Sequence, residues 1–223
     1  LIILLAFGLT WALGGTRLLL SGYPTDESRI MYRRQIRRRV RQLAPFLHLD
    51  ADPYVVLADG RLYWIIDAYT HSDRYPYSEP FHSQETVYAG QGGRSRQVDS
   101  LAYLEGENYV RNSVKVVVDA YNGSVDLYVF EPEDPLIRVW QKIFPDLFQP
   151  AAAMPDALRK HVRYPADMLL VQRLVYAKYH MTDPEVFYNQ EDLWIRATEK
   201  YYQHVQPVEP YYIMWQPEER DEL

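Results

Sequence analysis

Apolar β-branched and aromatic positions gather in two stretches, residues 62–69, Leu-Tyr-Trp-Ile-Ile-Asp-Ala-Tyr, and residues 114–121, Val-Lys-Val-Val-Val-Asp-Ala-Tyr, which are nearly the same strand. Each lies beside a tight-turn dipeptide, Asp59-Gly60 in one case and Asn122-Gly123 in the other. Such dipeptides supply the positive φ angles of two-residue hairpin turns, and β-branched and aromatic residues suit a half-buried pleated surface. The pattern predicts one hairpin over 54–57 and 62–69 and a second over 114–121 and 124–130. The run Glu131-Pro132-Glu133-Asp134-Pro135 ends the second, because proline cannot donate to a ladder.

Helical spacing flanks the sheet on both sides. Thr25 and Ser28 offer N-cap oxygens, and Tyr32, Ile36, Val40 and Leu43 then recur at helical intervals up to Pro45. On that helix Arg29, Arg33, Arg37 and Arg41 share one face, and Arg34 with Arg38 another. After Pro135 the apolar residues Leu136, Val139, Trp140 and Ile143 predict a short helix, Pro155 opens another reaching His161, and Pro165 suits the first turn of a longer one. A last helix over 192–204 and a strand over 211–215 complete the reading. The expected fold is α+β, a small antiparallel sheet of two related hairpins packed with flanking helices. It divides into an apolar amino-terminal helix (1–24), a helix with two hairpins (25–135) and a mainly helical part with a terminal strand (136–223). The stretch 71–108 has no lasting periodicity, and loops of that length are usually functional or mobile.

The run of residues 1–13 is apolar, but it meets Gly14-Gly15 and Arg17, short of the ~20 residues that cross a bilayer. It reads as a buried helix, with the end of a membrane span as the alternative. The chain starts on leucine, as a piece of a longer protein would.

Composition changes the picture in two ways. The absence of cysteine among 223 residues excludes disulfide stapling, thiolate catalysis and thiolate metal sites. Residues 1–41 hold eight arginines against Asp26 and Glu27, a net of +6, so with −6 overall the remaining residues carry −12. A basic element thus faces an acidic body. The arginine helix, through Arg33, Arg37 and Arg38, suits anionic lipid headgroups, whereas the acidic body and the lack of a binding motif argue against nucleic acid.

Candidate chemistry is sparse. Asp67 and Asp119 close their strands at matching positions, so two carboxylates on neighbouring strands can act as an acid and base pair or simply cap turns. His48, Asp50 and Asp52 alternate and point one way in an extended chain, with Asp59 nearby, but no calcium loop motif follows and no metal or other cofactor is implied. His71-Ser72-Asp73 has triad residue types without triad geometry, and Gly90-Gln91-Gly92-Gly93-Arg94 lacks the ending of a phosphate loop. The segment Asp73-Arg74-Tyr75-Pro76-Tyr77-Ser78-Glu79-Pro80 is stiffened by two prolines, and Arg74, Tyr75 and Tyr77 are residue types that dominate binding hot spots.

The runs of residues 111–121, 62–69 with 73–78, and His161-Val162-Arg163-Tyr164-Pro165-Ala166-Asp167 resemble an uncharacterised bacterial family numbered 0182. The resemblance spans about residues 28–194. It implies large multi-pass membrane proteins with a soluble extracytoplasmic region, of which this chain is a fragment, and it implies no activity. The hairpin from Asp119 to Gly123 is also similar to that of PepSY domains, which occur in envelope proteins. The expected function is a non-enzymatic module for protein interaction or envelope assembly, partnered by the parent's membrane-spanning region, an envelope protein or anionic lipid. A hydrolase or small-ligand domain using clustered carboxylates is the alternative.

Overall fold

The computed structural model describes residues 33–82, 99–195, 197–202, 204–208 and 210–213. The chain divides into two units at residues 35 and 36. Of the first, only residues 33–35 are described; they form no regular structure, and Arg33 has a φ of 55°. The helix expected to run unbroken to Leu43 therefore starts only at Ile36. The expectations for residues 1–32, for Gly90 to Arg94 and for residues 214 and 215 lie outside the described residues.

The second unit is an α+β fold. Its elements are α1 (Ile36–Leu43), β1 (His48–Leu49), β2 (Tyr54–Ala58), β3 (Arg61–Ser72), a 3-10 turn (Asp99–Leu104), β4 (Tyr109–Asp119), β5 (Val125–Val129), α2 (Pro135–Ile143), β6 (Phe148–Pro150), a second 3-10 turn (Ala151–Ala153), α3 (Asp156–Arg159), α4 (Ala166–Tyr179), α5 (Pro184–Asn189), β7 (Thr198–Tyr201) and β8 (His204–Pro207). The main sheet runs β1-β3-β4-β5-β6, with β2 also paired to β3. All its pairings are antiparallel except β5 with β6. Among the described residues no helix is long and apolar enough to cross a membrane.

The two long strands of the expected hairpins, β3 and β4, pair with each other and form the centre. Asp59 and Gly60 both adopt left-handed φ, 49° and 73°, as a two-residue turn between right-twisted strands requires. The second turn differs from expectation. Asp119 N–H donates to the Ser124 carbonyl at 3.0 Å, and the Asp119 carboxylate accepts from the amides of Tyr121 and Asn122, which holds a wider loop. In that loop Gly123 stands at φ 73°, a backbone conformation that strains any side chain, and a Cβ there would also push aside the Arg39 guanidinium, 2.8 Å away.

Both faces of the sheet are covered. On one, Ile66, Ala68, Val114, Val116, Val118, Leu127 and Val129 pack with Val40 of α1 and Ile137 of α2. Phe46 stacks on Trp140 there, ring centres 3.9 Å apart. On the other, Ile65, Val117 and Tyr128 pack with Met154 and Leu158, and Leu170 of α4 meets Leu101 and Leu104 of the 3-10 turn. A register shift between Ala68 and Thr70, with the extra residue on β4, brings Ser113 to the side of Thr70, facing α2. Their hydroxyls donate to the buried Asp134, which also accepts from Tyr109 and caps α2 through the Leu136 amide.

The carboxy-terminal part departs from its pattern. A short α5 ends before this range, at Gln190 in a left-handed conformation, and in place of a helix over 192–204 the chain forms the β7–β8 hairpin. Residues 211–213 form no strand.

Burial pushes the Asp134 carboxyl up, but donors from Ser113, Thr70, Tyr109 and Leu136 outweigh it and hold it below 3.8. A depressed folded-state value stabilises above that pH, and the contribution is lost as pH falls through the folded value. Replacing Asp134 with Ala should cost about 2–4 kcal/mol at neutral pH, the sum of a lost cap and stranded donors. Urea unfolding at pH 7 and pH 3 should show a smaller pH difference in the variant than in the parent.

Candidate functional site

The face of the sheet covered by α4 carries a buried polar layer. Alternation along β3 points Asp67, Tyr69 and His71 toward it. Asp67 sits directly across from Lys115 on β4, and the two form a buried ion pair, 3% and 6% exposed. The ammonium also donates to the Arg163 carbonyl at 3.4 Å, just ahead of α4. Beyond this pair Tyr69 donates its hydroxyl to Asp50, whose Oδ2 accepts from the Asp167 amide at 3.4 Å. Asp167, in the first turn of α4, accepts from the Ala51 amide at 2.9 Å and from the Tyr103 hydroxyl at 2.7 Å. Tyr103 packs edge-on against His48, whose ring stacks on His71. His71 in turn is 2.8 Å from Glu107.

Among the described residues, Asp50, Asp67 and Asp167 thus share this layer with one buried lysine, Lys115. Burial raises the Asp67 carboxyl, Lys115 pulls it back and the Asp50 charge pushes it further up. Asp167 is raised by burial first and by Asp50 second. The hydroxyls of Tyr69 and Tyr103 are driven far up by burial and the neighbouring carboxylates, so they remain donors. Arg163 closes the edge: it pairs with Asp52 and lies between the rings of Tyr54 and Tyr212, 3.9 and 4.1 Å from their centres.

The structure separates the two carboxylates singled out in the sequence. Asp119 does end β4, but Asp67 lies within β3, and the register pairs Asp119 with Tyr63, four residues away from Asp67. Asp119 binds Arg61 at 2.8 Å and its own turn amides. His48 and Asp50 do share a face, whereas Asp52 turns to Arg163 and Asp59 belongs to the turn at the far end of β3. No triad forms from residues 71–73, since Ser72 Oγ accepts from the Arg74 amide and Asp73 lies exposed beside Arg74. On α1, Arg37 donates to the carbonyls of Leu49 and Ala51, and Arg38 is exposed. Lys115, Asp167, Tyr103 and Glu107 escaped sequence reasoning; only Lys115, a lone cation inside an apolar strand, carried a signal.

Residues 75–82 form one wall of a groove of about 680 Å³, while Asp73 and Arg74, from the start of the expected binding segment, do not line it. Tyr75, Pro76, Tyr77, Val171, Val175 and Tyr179 are among its lining residues. Asn108 pins the segment, accepting from the Tyr75 amide at 2.8 Å and donating to the Tyr75 and Ser78 carbonyls. Tyr75 stacks on Tyr109, centres 5.5 Å apart. Tyr77 is fully exposed and held at φ 57°, a conformation that is strained for an aromatic residue.

For Asp167, a folded-state value above 3.8 means that its contribution to stability is complete at low pH and is lost as pH rises through the raised value. Asp167→Asn keeps an acceptor for Ala51 and Tyr103 but removes the repulsion with Asp50. It should leave stability at pH 7 unchanged or higher and flatten the decline above pH 4, read by urea unfolding across pH. Asp167→Ala, which strands both donors, should cost about 1–3 kcal/mol.

Comparison with known proteins gives the chain its family. The model of an uncharacterised protein family, UPF0182, matches residues 5–223. A UPF0182 protein of Salinibacter ruber is 49% identical over 92% of this chain and 20% of its own length. One from Cupriavidus necator is 54% identical over 82% of the chain and 18% of its own, and one from Pelotomaculum thermopropionicum 47% identical over 91% and 20%. No solved structure matches. The chain belongs to the uncharacterised protein family UPF0182, and it spans about a fifth of the length of the curated relatives it matches.

Proposed function

We propose that this chain is a non-enzymatic interaction domain on the extracytoplasmic side of a multi-pass membrane protein, and that it docks through the tyrosine-lined groove onto another part of its own parent. The observation that carries this reading is the groove itself. Its wall is preorganised by Pro76, Pro80 and the Asn108 clamp, which lowers the entropy lost on docking. Aromatic and aliphatic side chains dominate it, and the same helix continues the apolar surface through Tyr176, 59% exposed, toward Trp194 and Ile195. The occupant follows from length, since about four-fifths of each relative lies outside the matched region. The extracytoplasmic placement rests on the sequence resemblance, and a cysteine-free composition is compatible with it.

The alternative, a hydrolase built on clustered carboxylates, draws less support. Asp50, Asp67 and Asp167 are 1%, 2% and 4% exposed and already hold protein partners, so a substrate does not reach them.

The test is photo-crosslinking in cells, with the crosslinker at Tyr77 of the full-length parent and mass spectrometry of the product. The expected result is a reproducible crosslink to a peptide of the parent outside this region, lost on Tyr75→Ala and on Val175→Asp. Crosslinks only to solvent-exposed peptides at random, or none to protein, would overturn the reading.

A further inference from the structure

Glu107, which lines the groove, also closes a cluster on the sheet face behind it. His48 on β1 and His71 on β3 come from adjacent paired strands, and their rings stack with centres 3.6 Å apart. Glu107 Oε1 lies 2.8 Å from His71 Nδ1 and 3.7 Å from His48 Nε2. The donor atoms of the three side chains all fall within 4.8 Å of one another, and among the described residues no other three histidine or acidic side chains do so. The side chains are 29%, 25% and 17% exposed, recessed but within reach of an ion.

Two further features point to a cation. Among the described residues nothing hydrogen-bonds the buried Glu107 Oε2, a costly state for a carboxylate oxygen that a ligand would relieve. Beyond Tyr103, which packs on His48 and bonds Asp167, lies the carboxylate-rich layer, whose excess negative charge favours a positive ion.

We propose that His48, His71 and Glu107 bind a divalent first-row transition ion, with zinc(II) the best match, through His48 Nε2, His71 Nδ1 and a carboxylate oxygen of Glu107. Two imidazoles and one carboxylate are a donor set that such ions accept while keeping a position for water. Zinc bonds of about 2.0–2.1 Å place donors roughly 3.3 Å apart. The two distances from Glu107 bracket that value, so side-chain rotation suffices, with the rings opening from their 23° stack while the β1–β3 pairing stays in place. The three ligands come from separate segments, which is why no spacing motif announces them.

The test uses the full 223-residue chain, stripped with a chelator and titrated with cobalt(II) and then zinc(II). The expected result is visible cobalt absorption that saturates at one ion per chain, is bleached by one equivalent of zinc, and is accompanied by a zinc-dependent rise in unfolding temperature. Glu107→Gln and His71→Ala should each weaken binding by at least about 100-fold, more than the 10–100-fold typical of losing a group that only supports a ligand. His82→Ala, which breaks the nearby exposed pair with Glu105, should leave binding unchanged. Imidazole nitrogen spectra of the unaltered chain give a readout independent of how the variants fold, with zinc shifting His48 and His71 but not His82 or His161. No binding, or binding indifferent to Glu107→Gln with unshifted His48 and His71 signals, would overturn the proposal.

Discussion

The ion pair between Lys115 and Asp67 fixes the arrangement on which the rest of the molecule depends. It sits at a direct cross-strand position on the central strands, where both groups are almost fully buried. A slip of one residue would turn Lys115 into the apolar layer of Ile66 and Val116 and set Asp67 beside no cation, a costly exchange at both ends. The register of β3 on β4 is therefore pinned by charge as well as by hydrophobic pattern. Through β3 it also places β1, since His48 and Leu49 pair with Tyr69 and Ala68.

The two faces of the sheet have different tasks. The face under α1 and α2 is an aliphatic and aromatic core that supplies cohesion, broken only by the Asp134 cap and its three hydroxyl donors. The face under α4 gives up apolar burial to a chain of polar contacts from Lys115 through Asp67, Asp50, Asp167 and Tyr103 toward the two histidines. Such a layer is tolerable because nearly every group in it has a partner. Among the described residues the Tyr54 hydroxyl at its edge and one Glu107 oxygen are buried without a hydrogen-bond partner, and Glu107 lies where this layer meets the groove.

Much of this was legible in the residues. Runs of β-branched and aromatic residues beside turn dipeptides identify both hairpins, and alternation sets His48 and Asp50 on one side, although Asp52, expected with them, turns to Arg163. Asp67 is conspicuous in the residues, where its strand pattern reaches only Tyr69 and the matching Asp119 is the expected partner, whereas antiparallel pairing opposes β3 to β4 in reverse and brings up Lys115 instead. Asp167, Tyr103 and Glu107 reach the site from distant segments and carry no local signature. At the carboxy terminus, the helix expected over residues 192–204 gives way to the β7–β8 hairpin, whose strand pairing takes up Thr198–Tyr201 and His204–Pro207. The exposed Tyr77 was noticed for its residue type; its strained backbone and its groove became visible only in three dimensions.

The central claim, that a buried charge pair sets the frame, is tested most directly by comparing Lys115→Met with the double variant Lys115→Met/Asp67→Leu in urea unfolding at neutral pH. Removing the lysine alone strands a buried carboxylate and should cost about 3–5 kcal/mol, while replacing both groups by apolar ones should recover most of that loss. A single variant as stable as the parent, or a double variant no better than the single one, would contradict the account.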